Sequence, residues 1–70
     1  MVPLTQLRVG EVNSIKKIDG QDKTRQFLNS LGFVEGSEVS IISELAGNLI
    51  VNIKDSRIAI SKEMASKIVV

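Results

Sequence analysis

Two pairs of carboxylates stand close enough in the sequence to act together: Asp19 with Asp22, and Glu35 with Glu38. Divalent cations bind oxygen ligands, so either pair could contribute to a weak metal site. The alternative is structural: the aspartates form a turn and cap a helix, and the glutamates lie on a solvated corner. A selective transition-metal site would recruit imidazole or thiolate. Because the sequence holds no His and no Cys, we expect no metal site and no cofactor.

The serines are the remaining candidates for nucleophilic catalysis. A serine hydroxyl needs a base to activate it, most often His, and this sequence has none. A Ser-Lys arrangement needs a desolvated lysine, whereas the lysines here stand among polar residues. Gly32 and Gly36 are not followed by the Lys-Ser/Thr of a phosphate-binding loop. We therefore expect a protein that is not an enzyme.

Size and composition indicate one small domain, spanning residues 1–70. The chain has 70 residues, of which 43% are hydrophobic and 24% charged, with a net charge of +1. A chain of this size buries one modest core, and the balanced charge gives no general attraction to nucleic acid or to an anionic membrane. The apolar runs are too short for a membrane helix, and the first residues do not resemble a signal peptide. We expect a cytoplasmic protein without direct membrane insertion.

Residues 22–31 have the clearest helical pattern in the sequence. Four residues follow the 3.6-residue period: Thr24, Phe27, Leu28 and Leu31. Asp22 is the expected N-cap. Gly32 is the expected left-handed residue after the helix, which would let Phe33 pack back on Leu28. We therefore expect a helix over 22–31 with both phenylalanines in the core.

The rest of the chain is typical of short strands joined by tight turns. The expected strands are 11–18 (with a bulge at Asn13-Ser14), 38–44, 48–54, 57–60 and 68–70. Turns at 45–48 and 55–56 would connect hairpins, and Ser61 would cap a short helix over 62–67. These connections are too short for parallel crossovers. The expected fold is mainly β: a five-stranded, strongly bent antiparallel sheet that closes into a barrel and so removes its edges.

The segment 28–39, LNSLGFVEGSEV, resembles the LxxLGFxxGxxV core of the bacterial ferrous iron transport protein A (FeoA) family. Leu4-x-x-Leu7-x-x-Gly10 resembles the opening of the family, and 57–70 resembles its ending. The likeness therefore spans nearly the whole chain. Family members often have a longer, Pro-containing loop where this chain has 44–48.

The resemblance implies an SH3-like barrel and a cytosolic accessory role in ferrous iron uptake. The implied partner is FeoB, a membrane transporter with a cytosolic GTP-binding region. The same fold occurs as the C-terminal domain of iron-dependent repressors, so a metal-responsive regulatory domain is one alternative. A small-barrel nucleic-acid-binding protein is another, although Lys16 and Lys17 would point to opposite faces of a strand. Self-association is also open.

A protein-binding surface is the remaining kind of site. Lys23 and Arg25 project from the flanks of the predicted helix, and Phe27 lies at the border of its apolar stripe. Leu45 and Ala46 place apolar side chains at a hairpin tip, where polar ones are usual. We predict partner contacts at these five residues; the alternative is that the two cations are merely solvated and Leu45 folds back on the barrel.

Overall fold

A computed structural model describes every residue from Met1 to Val70. It contains six strands, two α-helices and a short 3-10 helix at Leu4–Gln6. The strands are β1 (Val12–Ser14), β2 (Lys17–Ile18), β3 (Glu38–Leu45), β4 (Asn48–Ile53), β5 (Ser56–Ser61) and β6 (Ile68–Val69). The helices are α1 (Asp22–Ser30) and α2 (Lys62–Ala65). The mainly β class predicted from the sequence is confirmed.

The strands form two antiparallel sheets, one of four strands in the order β1-β3-β4-β5 and one of β2 with β6. The single strand predicted at 11–18 is therefore wrong, because that segment contributes one strand to each sheet. The division lies at Ile15, which is buried: its N–H donates to the Ser37 carbonyl at 2.9 Å, whereas the Lys16 N–H donates to Val69 at 2.7 Å. The three-residue spacing of apolar side chains in this segment reflects that change of sheet.

Both hairpins of the larger sheet close with two-residue turns. Ala46 and Gly47 have φ values of 51° and 82°, and Lys54 and Asp55 have 48° and 65°. Two consecutive positive φ values fit the type I′ turn that matches the twist of the flanking strands. The second turn lies one residue earlier than predicted, because Ser56 already pairs with Ile53 in the ladder.

Helix α1 begins differently from the prediction but ends as predicted. Gln21 rather than Asp22 occupies the N-cap, without a side-chain capping bond, so that prediction is wrong. The other end is as predicted: Gly32 has φ 106°, and the Phe33 N–H donates to the Leu28 carbonyl at 3.0 Å. This is the six-to-one bond of a Schellman ending.

The core lies between the two sheets and is entirely apolar, since no polar or charged residue is buried. Its largest fully buried side chains include Phe33, Leu4 and Leu28. Phe33 is therefore a core residue as predicted, but Phe27 is 53% exposed and its predicted place in the core is wrong. Successive helical residues are separated by about 100°, so with Leu28 facing the barrel Phe27 lies on the flank of α1.

Candidate protein-binding surfaces

The tip of the β3–β4 hairpin presents Leu45 to solvent, with 68% of the residue exposed. A register shift between Ile41 and Ser43 explains its direction. Strict alternation from the buried Ile41 would turn Leu45 toward the core, but the bulge inserts one residue and reverses the alternation. Leu45 consequently pairs with the exposed Asn48. The sequence alternation alone did not reveal this bulge.

Helix α2 contacts this tip from the inner side of the sheet. The Lys62 N–H donates to the Gly47 carbonyl at 3.3 Å, and the Lys62 ammonium forms an ion pair with Glu44. Ser61 caps the helix as predicted, because its Oγ accepts from the Met64 N–H at 3.1 Å, although α2 is shorter than predicted. Leu45 and Ala46 therefore lie at a hairpin tip that is held to α2 by one hydrogen bond and one ion pair.

Apart from Glu38 at the start of β3, the outer face of the larger sheet carries little charge. The strand register aligns three rows across it: Val12-Ser40-Asn52-Arg57, Ser43-Ile50-Ala59 and Leu45-Asn48-Ser61. Arg57, at the margin, is the single charged member of these rows. We call this surface the uncharged face. In a chain in which 24% of residues are charged, such a face is suited to contact protein, because interface cores are depleted in charge.

Helix α1 divides its three predicted contact residues between two flanks. Lys23 and Phe27 are four residues apart and so lie on the same flank. Arg25 lies on the other flank, where its guanidinium pairs with Asp22 and shares a shallow depression with Glu35. The structure therefore does not bring Arg25 and Phe27 into one surface.

The helix and the hairpin tip lie at opposite ends of the larger sheet. A Cβ placed on Gly32, just after α1, would lie 3.8 Å from Cγ1 of Ile53 and 3.7 Å from Cδ of Lys54. The end of α1 is therefore next to the β4–β5 turn, whereas the tip adjoins Asn48 at the start of β4. At about 3.3 Å per residue, the length of β4 separates them by roughly 17 Å.

Of the two carboxylate pairs identified in the sequence, the aspartates form ion pairs with neighbouring cations, whereas Glu35 and Glu38 form none. Asp19 Oδ1 lies 3.5 Å from the Lys17 ammonium, and Asp22 pairs with Arg25. No group of three or more His, Cys, Asp or Glu residues is placed to hold a metal ion. The absence of a metal site stays a prediction.

None of the helices has the length and apolar character needed to cross a bilayer.

Two small sheets packed around an apolar core, with one helix after the second strand and a one-turn helix before the last, define a small SH3-like β domain. The chain belongs to the FeoA family: residues 2–70 match the model of the FeoA domain. A relative from Methanocaldococcus jannaschii, named "Putative Fe(2+) transport protein A", is 39% identical over 70 residues, which cover all of this chain and 85% of the relative. The family resemblance seen in the sequence is confirmed.

Solved structures support the same fold. The crystal structure of an iron uptake regulatory protein, FeoA, has a TM-score of 0.88 at 28% identity, over 96% of this chain and 89% of that one. Stenotrophomonas maltophilia FeoA, solved with zinc and described as an SH3-domain protein, has a TM-score of 0.85 at 23% identity, over 99% and 88%. A manganese-dependent transcriptional repressor matches at 0.84 and 20% identity, over 94% of this chain but 38% of the repressor. These last two likenesses, at 23% and 20% identity, show the fold alone.

Proposed function

We propose that this protein is a cytosolic, non-enzymatic accessory of ferrous iron uptake that binds the cytosolic GTP-binding region of a FeoB-like membrane transporter and modulates its activity. The observation that carries the proposal is membership of the FeoA family over residues 2–70. The name of the M. jannaschii relative, which refers to Fe(2+) transport, supports a role in ferrous iron uptake. The choice of FeoB as partner rests on the resemblance of the sequence to the FeoA family.

A binding role is supported by where the polar groups of the chain lie. Every buried side chain is apolar, so all ionisable groups are on the surface, and the chain has neither His nor Cys. This arrangement supports a domain that acts by contact through its surface. We assign the principal contact to Leu45 and Ala46 with the adjoining uncharged face, and a second contact to α1.

The test is direct titration of the purified protein against the purified cytosolic region of a FeoB-like transporter, with and without guanine nucleotide. We expect a saturable one-to-one complex and a changed rate of GTP hydrolysis. The absence of a complex in every nucleotide state would overturn the proposed partner. A complex that leaves hydrolysis unchanged would support binding and remove this form of modulation.

The two flanks of α1 supply a matched pair of charge reversals. Lys23→Glu changes the flank that carries Phe27, and Arg25→Glu changes the flank that carries Asp22 and Glu35. Because the exposed aromatic is the stronger anchor for a protein contact, we expect Lys23→Glu to weaken binding more than Arg25→Glu. Equal, unchanged affinities would exclude the helix and leave the hairpin tip as the contact.

The nucleic-acid alternative is tested by the salt dependence of binding. Lys17 is paired with Asp19, so the adjacent Lys16 and Lys17 do not form a free basic patch. A complex with nucleic acid that weakens steeply as salt rises would favour this alternative over the transporter.

A further inference from the structure

The outer edge of β5 is an unpaired strand edge. In the sheet order β1-β3-β4-β5, β5 pairs only with β4, and no backbone hydrogen bond of a turn or loop involves residues 56–61. Proteins normally protect such an edge with a proline, a bulge, several charges or a covering segment. β5 is six residues long, pairs in unbroken register with β4, lacks proline, and carries Arg57 as its single charged residue. The other edge strand of this sheet, β1, has three residues, so its free edge is protected by being short.

The register identifies which backbone groups face outward. Ile53 and Ser56 close a two-residue turn, and antiparallel partners alternate between pairs that exchange hydrogen bonds and pairs that do not. Ser56, Ile58 and Ile60 therefore direct their backbone groups to β4. The bond from the Lys62 N–H to the Gly47 carbonyl continues the same alternation.

The residues between them face the other way. Arg57 and Ala59 present both N–H and carbonyl at the free edge, and Ser61 presents its N–H. These backbone groups can form hydrogen bonds with an extended polypeptide that lies along the edge or with water.

The sequence of β5 is symmetric about Ala59. Reading outward from Ala59 in either direction gives an isoleucine and then a polar residue, in the segment Arg57-Ile58-Ala59-Ile60-Ser61. If two copies of β5 run antiparallel with Ala59 opposite Ala59, every outward-facing residue of one copy meets an outward-facing residue of the other.

The side chains of the two copies are also compatible with this pairing. The small Ala59 side chains meet at the twofold axis, and each isoleucine lies opposite an isoleucine of the second copy. Arg57 lies opposite the uncharged Ser61, and the two Arg57 residues are about 13 Å apart at 3.3 Å per residue. A twofold contact needs a surface that is complementary to itself, and β5 has one.

We propose that this protein self-associates through β5, two copies forming a symmetric dimer with one continuous eight-stranded sheet. The proposal goes beyond the proposed function and is independent of it. The contact involves one six-residue strand from each copy, so the association is weak and depends on concentration.

The test is sedimentation equilibrium of the purified full chain from about 0.05 to 2 mM, together with amide exchange by NMR. We expect the average mass to rise from 7.6 kDa toward twice that value, and the Ala59 amide to become protected as concentration rises.

The Ala59→Pro variant removes an outward N–H without breaking the β4–β5 ladder, and we expect it to stay monomeric. Ala59→Ser, which keeps that N–H, is the matched control and should dimerise like the parent.

Well-dispersed amide spectra of both variants would show that they fold. A parent protein that is monomeric throughout this range would overturn the proposal, and so would a folded Ala59→Pro variant that dimerises as well as Ala59→Ser. Because only the purified chain is used, these outcomes do not depend on whether it binds a transporter.

Discussion

Glu44, near the end of β3, forms an ion pair with Lys62, the first residue of α2. Both side chains are about half exposed, so the pair contributes at most about 1 kcal/mol to stability. Its position matters more than its strength, because it joins the inner side of the hairpin to α2 next to the bond between Lys62 and Gly47. With Glu44 turned to the inner side, the following residue, Leu45, is directed outward.

The exposed position of Leu45 leads to the first prediction. Replacing Leu45 with Glu places a charge on the uncharged face, and we expect the affinity for the cytosolic region of the transporter to fall at least about tenfold, or about 1.4 kcal/mol. The melting temperature should stay within a few degrees, because surface substitutions usually change stability by less than about 0.5 kcal/mol. Titration and thermal unfolding of the same samples measure both effects.

A matched control for Leu45→Glu is Gln6→Glu. It adds the same charge at an exposed position of the 3-10 helix, outside both assigned contacts. We expect Gln6→Glu to bind like the parent. Equal loss of affinity in both variants would mean that net charge, rather than the hairpin tip, governs the interaction.

The two phenylalanines make a second prediction, about stability. Phe33 is fully buried, whereas Phe27 is about half exposed. We expect Phe33→Ala to lower the free energy of unfolding by about 3–5 kcal/mol, and Phe27→Ala to lower it by about 1 kcal/mol or less. Chemical denaturation of both variants is the measurement. A comparable loss at the two positions would contradict the flank position of Phe27.

The sequence predicted the features that depend on local chemistry. The left-handed Gly32 after α1, the capping of α2 by Ser61 and the mainly β class follow from turn, cap and periodicity rules that act within a few residues. Phe33 was also placed correctly, because the helix ending itself directs it back onto Leu28.

Two of the errors concern features that depend on distant pairing. The division of 11–18 into two strands depends on hydrogen bonds to Ser37 and Val69, which no local pattern encodes. The outward direction of Leu45 depends on a bulge between Ile41 and Ser43 that appears only in the pairing with β4. The sequence therefore placed Leu45 and Ala46 at a hairpin tip, but their setting beside the uncharged face required the register. Their contact with a partner stays a prediction.

The third prediction concerns divalent metal. Asp19 pairs with Lys17 and Asp22 with Arg25, so a cation would have to displace a positive side chain from each carboxylate. We expect calorimetric titration of anaerobic protein with ferrous ion to show no stoichiometric binding at micromolar concentration. Saturable binding that is lost in Asp22→Asn would contradict this expectation and favour the metal-responsive alternative.

The two type I′ turns supply a final prediction. Glycine is favoured at the second turn position because both central residues have positive φ; the β3–β4 turn has Gly47 there, whereas the β4–β5 turn has Asp55 with φ 65°. We expect Asp55→Gly to raise the free energy of unfolding by about 0.5 kcal/mol, since relief of the left-handed strain outweighs the added freedom of the unfolded chain. The matched reverse change, Gly47→Asp, has open space for its Cβ and should lower stability through backbone conformation alone. Urea unfolding of both variants measures the two shifts, and shifts of the same sign would show that turn conformation does not control the stability of these hairpins.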